Sequence, residues 1–189
     1  MKKLFFAICA VCVLMTACTG KSAGTKTDDS QESATEAASE VAPADEQQYT
    51  DLALPGVGGD VVKISDYVGK NKLVLVDFWA SWCGPCIREL PNVVKAYERF
   101  HDKGLEIVGV SLDKDKASWL AAIEQTGQKW PQMSDLKGWE CAGAQIYGIQ
   151  SIPANVLIDD HGKIVARDLR GDALLKEIES RLAAEAVAE

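Results

Sequence analysis

The apolar run at residues 73–79 is the feature that most restricts the fold. Six of its seven residues, LVLVDFW, are hydrophobic, as is typical of a central strand covered on both faces. Residues 105–112 form a second such run. Between them lies a helical pattern with apolar side chains three or four residues apart, at Ile87, Leu90, Val94, Tyr97 and Phe100. Strand, helix and strand in this order predict a right-handed βαβ unit and an α/β fold.

Weaker patterns extend this unit on both sides. We predict a short hairpin around Gly56–Gly59, a helix over 114–124, a short helix over 142–147, a strand over 155–158, its hairpin partner over 163–168 and a closing helix over 173–184. The hairpin near the end is supported by its turn residues, Asp-Asp-His-Gly. A hairpin added to a parallel βαβ unit gives a mixed central sheet flanked by helices.

The first residues have the pattern of a targeting segment. Lys2 and Lys3 precede an unbroken apolar stretch of 12 residues, at 4–15. That length suits a signal peptide and is shorter than the roughly 20 residues that span a bilayer. The stretch ends in Leu-Met-Thr-Ala-Cys, which resembles a bacterial lipobox although methionine stands where leucine is usual. We therefore expect a lipoprotein signal peptide at 1–17 and lipidation of Cys18, with simple secretion and a free Cys18 as the alternative.

Residues 18–48 have the composition of a disordered, acidic linker. The segment contains seven acidic residues and two lysines, and Val41 is the only large aliphatic side chain from 19 to 48. Such a segment buries too little apolar surface to offset the entropy of ordering it. The folded domain is expected at 49–189. The formal net charge of −8 over the whole chain argues against nucleic acid as a partner.

Two cysteines three residues apart, Cys83 and Cys86, lie at the predicted start of the central helix. Unpaired N–H groups and the positive end of the helix dipole stabilise a thiolate at that position. Residues three apart also share one face of a helical turn and can form a disulfide. We expect Cys83 to be the exposed nucleophile and Cys86 to be the resolving thiol. Pro91, in the middle of the helix, should kink it.

Other uses of the two cysteines are less well supported. A zinc site would need further ligands, and Cys141, His101 and His161 lack ligand-like spacing. A purely structural disulfide over so short a loop would restrain little chain entropy. Cys141 is expected to be a buried free thiol, with a second resolving cysteine as the alternative.

Three other residues near the pair attract attention. Asp77 is a carboxyl group inside an apolar strand, so burial should raise its pKa. The alternative is that Asp77 has a structural role, in an ion pair with a lysine such as Lys72. Trp79 is expected in the core, whereas Trp82, next to Cys83, is expected to line the surface that meets substrate.

The segment Val-Asp-Phe-Trp-Ala-Ser-Trp-Cys-Gly-Pro-Cys at 76–86 closely resembles the thioredoxin active site. Glu-Leu-Pro at 89–91, Ser-Ile-Pro at 151–153 and Leu-Ile-Asp at 157–159 extend the resemblance to the TlpA/ResA-type thioredoxin-like proteins, over about residues 50–185. This resemblance implies a thioredoxin-like fold with a helical insert after the first βαβ unit. It also implies that Asp77 receives a proton from Cys86, and that a cis Pro153 and Ile152 lie against the cysteines and bind substrate backbone.

The same resemblance implies a membrane-tethered thiol–disulfide oxidoreductase on the periplasmic side of a bacterial envelope. It would reduce disulfides of exported proteins, such as apocytochrome c, with electrons from a membrane reductant-transfer protein and without a cofactor. A peroxiredoxin-like thiol peroxidase and a non-catalytic binding module are the alternatives. The vicinal pair argues against both, since the first uses a single peroxidatic cysteine and the second needs neither thiol.

Overall fold

The structure is a computed structural model that describes residues 47–188. The predicted signal peptide, Cys18 and all but the last two residues of the predicted linker lie outside the described residues. No helix within 47–188 is long and apolar enough to cross a membrane. Ordered contacts already exist at Gln47 and Gln48: the Gln47 carbonyl accepts a hydrogen bond from Ile164 N, and Gln48 bridges to Lys163. The folded part thus begins at least two residues before Tyr49.

The first two strands of the described residues form an antiparallel hairpin, β1 (Ala53–Pro55) and β2 (Val61–Lys63). The core of the domain is a separate, mixed sheet of five strands: β3 (Leu73–Trp79), β4 (Leu105–Ser111), β5 (Gln132–Met133), β6 (Ala154–Asp159) and β7 (Ile164–Arg167). Their order in the sheet is β5-β4-β3-β6-β7. The central strand β3 runs parallel to β4 and antiparallel to β6. At the two edges β5 is parallel to β4, and β7 is antiparallel to β6.

The two apolar runs of the sequence are the two innermost parallel strands. Every residue of β3 and of β4 is buried, which explains why neither run alternates with polar residues. Their register pairs Asp77 with Gly109 and Trp79 with Ser111. On its other side, Asp77 pairs with Asn155 of β6. The predicted βαβ unit and the mixed sheet are confirmed.

Four helices flank the sheet: α1 (Gly84–Phe100), α2 (Lys116–Thr126), α3 (Ala142–Ile146) and α4 (Gly171–Ala188). The central helix α1 contains Pro91 and buries Leu90, Val93 and Phe100 among its residues. It packs against α4. Connecting β4 to β5, α2 is the helical insert that the sequence predicted.

Two helices start at other residues than predicted, and polar contacts mark both starts. The helix expected at 114–124 starts two residues later, because Asp115 caps it by accepting a hydrogen bond from Ser118 N. The closing helix starts at Gly171 rather than at residue 173, and Gly171 N donates to the Glu89 carboxylate at 2.7 Å. The two-residue strand β5 was not predicted, since its length offers no periodic pattern.

Candidate active site

The Cys83–Cys86 pair lies at the start of α1 and forms a disulfide. Cys83 is the N-cap residue, and its sulfur accepts a hydrogen bond from Cys86 N at 3.2 Å. Gly84 and Pro85 form the first turn, where proline removes no hydrogen bond because that N–H has no partner in the helix. A sulfur at this position faces the unpaired N–H groups of the first turn, which stabilise the negative charge of a thiolate.

The two cysteine residues differ in exposure less than the sequence led us to expect. Cys83 is 5% exposed and Cys86 is 1% exposed. The prediction of an exposed Cys83 is therefore wrong for the disulfide form, because the neighbouring loop covers the residue. Of the two, Cys83 remains the more accessible, so its role as the attacking thiol and that of Cys86 as the resolving thiol stay predictions consistent with this geometry.

The covering loop contains the predicted cis proline. The peptide bond between Ile152 and Pro153 is cis, and the carbonyl oxygen of Ile152 lies 3.7 Å from the sulfur of Cys83. Both residues are partly exposed. A partly exposed loop next to a reactive sulfur suits the binding of an extended chain, and the substrate-binding role of Ile152 and Pro153 stays a prediction.

Asp77 is a buried carboxyl group on the central strand, 3% exposed. Burial raises its pKa to about 7, the Arg170 guanidinium partly opposes that rise, and the Glu89 carboxylate adds to it. The cation that lowers the pKa of Asp77 is thus Arg170, and the alternative ion pair with a lysine such as Lys72 is not tested. A group with a pKa near 7 can exchange a proton at neutral pH, which suits the predicted role with Cys86.

The segment that precedes α4 holds several parts of the site together, and sequence reasoning missed it. The Arg170 guanidinium donates to the carbonyl of Pro153 and to that of Leu169. Asn155 exchanges two hydrogen bonds with the backbone of Leu169, at 2.8 and 2.9 Å. Arg170 is 93 positions from Asp77 in the sequence, so no local spacing could have connected the two residues.

A second buried carboxylate, Asp113, fixes the loop that leads into the cysteine pair. It accepts hydrogen bonds from Ser81 N at 3.0 Å, from Ser81 Oγ at 2.6 Å and from Ser111 Oγ at 2.7 Å. Ser81 immediately precedes Trp82, whose side chain is 55% exposed, while Trp79 is fully buried. The predicted positions of the two tryptophans are confirmed, and contact between Trp82 and substrate stays a prediction.

The remaining candidates lie apart from this chemistry. Cys141 is a free thiol and fully buried, and burial is the main cause that raises its pKa, so it resembles a core residue more than a second resolving thiol. His101 follows the end of α1, and His161 is an exposed turn residue. Within residues 47–188 no three histidine, cysteine or acidic side chains are grouped so as to hold a metal ion.

Comparison with known proteins agrees with this geometry. The sequence matches the Redoxin family over residues 34–182. It is 30% identical to the thiol-disulfide oxidoreductase ResA of Bacillus thuringiensis subsp. konkukian over 124 residues, which are 66% of this chain and 68% of that protein.

Two solved structures from Bacteroides have the same fold. The thioredoxin domain of a thiol-disulfide oxidoreductase from Bacteroides vulgatus is 36% identical, with a TM-score of 0.67 over 72% of this chain and 96% of that one. A thiol-disulfide oxidoreductase from Bacteroides fragilis is 30% identical, with a TM-score of 0.66 over 71% and 98% of the two chains. The chain therefore belongs to the Redoxin family, as a TlpA/ResA-type thioredoxin-like thiol–disulfide oxidoreductase.

Proposed function

We propose that the protein reduces disulfide bonds of exported proteins on the periplasmic side of a bacterial membrane, to which a lipidated Cys18 attaches it. The observation that carries the proposal is the place of the Cys83–Cys86 disulfide at the helix start. The Ile152 carbonyl lies 3.7 Å from one of its sulfurs. A vicinal pair beside a partly exposed loop suits the exchange of disulfides with a polypeptide.

The reaction consists of two exchanges. In the reduced enzyme the Cys83 thiolate attacks one sulfur of the substrate disulfide, and the other sulfur leaves as a thiolate that takes up a proton. Cys86 then loses its proton, attacks the sulfur of Cys83 and releases the second substrate thiol. Two electrons have passed to the substrate, and the pair ends as the disulfide found in the structure.

Asp77 is proposed to accept the proton of Cys86 in the second exchange. A buried thiol is a poor nucleophile until it is deprotonated. The pKa of Asp77 is about 7, so near neutral pH its carboxylate can take that proton and later release it.

The proposed direction, reduction, follows from the residues between the cysteines. Gly84 and Pro85 give the Cys-Gly-Pro-Cys sequence of thioredoxin, whose potential near about −270 mV makes it a reductant. Outside the cytoplasm such an enzyme needs a continuous supply of electrons. We therefore include a membrane reductant-transfer protein as the partner that reduces the pair after each turnover.

Apocytochrome c is the substrate class that we propose first. Haem attachment requires a Cys-x-x-Cys-His segment with two free thiols. In an oxidising compartment such a vicinal pair forms a disulfide. An envelope reductase that binds extended chains would return it to the dithiol.

A trapping experiment tests substrate and mechanism together. Replacing Cys86 with Ser removes the resolving thiol, so the mixed disulfide between Cys83 and the substrate should accumulate. The doubly substituted Cys83→Ser, Cys86→Ser chain is the matched control and should trap nothing. Captured proteins without an apocytochrome would refute the cytochrome assignment, and equal trapping by the control would refute the mechanism.

The potential of the pair tests the direction. Equilibration of the full chain with a dithiothreitol series should give a value near the thioredoxin end of the scale, about −270 mV. A value near about −120 mV would make the protein a donor of disulfides, and the reductase proposal would fall.

A further inference from the structure

Two exposed tryptophans form a pair beside the redox site. Trp82, next to Cys83, is 55% exposed and Trp139 is 47% exposed. Their ring centroids lie 6.4 Å apart, with the planes tilted by 58°. Large aromatic side chains are usually buried, and tryptophan is among the residues most enriched at the energetic centres of binding surfaces. The pair is therefore a candidate binding element.

A cavity of about 330 Å³ opens next to the pair. We call it the tryptophan pocket: Trp82, Trp139 and Leu112 supply its apolar walls, and Lys114, Asp115 and Ser118 contribute to its lining. Sites for small-molecule ligands and cofactors have volumes of roughly 300–1,000 Å³. This cavity lies at the lower end of that range, so it suits one large side chain better than a cofactor.

The loop that carries Trp139 is held in place by its own polar contacts. The Asp135 carboxylate accepts hydrogen bonds from Lys137 N at 3.1 Å and from Ala142 N at 3.0 Å, one on either side of Trp139. Gly138 has φ of +62°, and a Cβ there would lie 2.5 Å from Cε of Lys114. A rigid loop that keeps a tryptophan exposed lowers the entropy lost on binding.

The opposite wall is equally fixed. The Asp113 carboxylate belongs to the pocket lining, but its oxygens already accept hydrogen bonds from Ser81 and Ser111. A polar ligand would have to compete with these bonds, whereas an apolar one gains from contact with the rings and Leu112.

The spacing of the rings decides where the ligand lies. A third ring between them would need two contacts of about 3.5 Å, a separation of roughly 7 Å. The observed 6.4 Å between tilted rings is less than that. A bound side chain must therefore lie in the cavity against the pair and not between the two rings.

We propose that the tryptophan pocket binds an apolar or aromatic side chain of the polypeptide whose disulfide reacts with Cys83. The inference rests on the proposed function. Because Trp82 is the neighbour of Cys83 in the chain, the bound side chain belongs to a residue close to the reactive cysteine of the substrate. The pocket selects among substrates by affinity, and the sulfur chemistry takes place outside it.

The test uses two peptides with one cysteine each, present as its mixed disulfide with glutathione. The peptides are identical except that phenylalanine or serine stands two residues from the cysteine. The full chain, reduced and recycled by dithiothreitol, is assayed for kcat and KM with both peptides. Trp139→Ala is compared with Ile146→Ala, since Ile146 is 44% exposed but does not line the pocket.

Burial of an aromatic side chain predicts a KM at least about tenfold lower for the phenylalanine peptide in the natural protein. Trp139→Ala should abolish that preference by raising KM for the phenylalanine peptide, and Trp139→Phe should restore it in large part. Ile146→Ala should keep the preference. Equal KM values for both peptides in the natural protein would overturn the pocket assignment alone. A natural protein that reduces neither peptide would overturn the proposed function as well.

Discussion

Replacement of Asp77 with Asn should make the stability of the protein less dependent on pH. The carboxyl is buried in the central strand, and its pKa in the folded protein is about 7, against 3.8 as the ordinary value. A difference of about three pKa units corresponds to about 4 kcal/mol between the two protonation states. Burial opposes ionisation, so this free energy works against the folded state once the carboxyl is charged.

The direction follows from proton linkage. The folded protein keeps the proton of Asp77 to higher pH than the unfolded chain does. The stabilising contribution of the neutral carboxyl is therefore fully present below about pH 4 and is lost as pH rises through about 7. Asparagine has no proton to lose. From pH 4 to pH 8, the unfolding free energy of the variant should therefore rise by about 4 kcal/mol relative to that of the natural protein.

Urea denaturation of the disulfide form at pH 4, 6 and 8 measures this quantity. At each pH we compare the unfolding free energy of Asp77→Asn with that of the natural protein, and the informative quantity is how this difference changes with pH. The cost of burying an amide is the same at every pH, so it does not contribute to that change. Glu98→Gln, at an exposed position on α1, controls for the loss of one negative charge. A difference between Asp77→Asn and the natural protein that stays constant from pH 4 to pH 8 would refute the assignment of the raised pKa.

Two further substitutions test the polar contacts around the site. Arg170→Met removes the cation that lowers the pKa of Asp77, so the pH midpoint of the stability loss should move to higher pH in the same urea experiment; an unchanged midpoint would contradict the coupling. Asp113→Asn places an amide NH₂ where donors from Ser81 and Ser111 converge, which should cost about 1–3 kcal/mol of unfolding free energy. A change below about 0.5 kcal/mol would show that the three hydrogen bonds contribute little.

The features that the sequence predicted well are those formed by residues close together in the chain. The strand at 73–79, the helix after Cys83 and the second strand at 105–111 are visible because their apolar residues repeat at short spacing. The cysteine pair is recognisable for the same reason, since its chemistry needs only the first turn of one helix. The cis bond at Pro153 followed from the resemblance and not from the residues alone, because only about 5% of such bonds are cis.

What the sequence could not predict depends on contacts between distant segments. Asp113 was not singled out, although it fixes Ser81, because the two residues meet only when β3 and β4 pair. Trp139 became a site residue only when the structure placed it beside Trp82, 57 positions earlier. The burial of Cys83 was missed for the same reason, because the loop beside its sulfur contains Ile152, 69 positions later in the chain.

The composition of the central strand β3 indicates that Asp77 has a function beyond folding. Every residue of β3 is buried and all the others are hydrophobic. Keeping one carboxyl there lowers stability at neutral pH by up to about 4 kcal/mol, a large part of the 5–15 kcal/mol that a typical domain has. An asparagine or a valine would remove the penalty, and neither could carry a proton. A group that titrates near pH 7, six positions before Cys83, fits the requirement of disulfide exchange that a buried thiol lose its proton at neutral pH. On this reasoning, the variant that gains stability at pH 8 is also the one that should reduce disulfides more slowly.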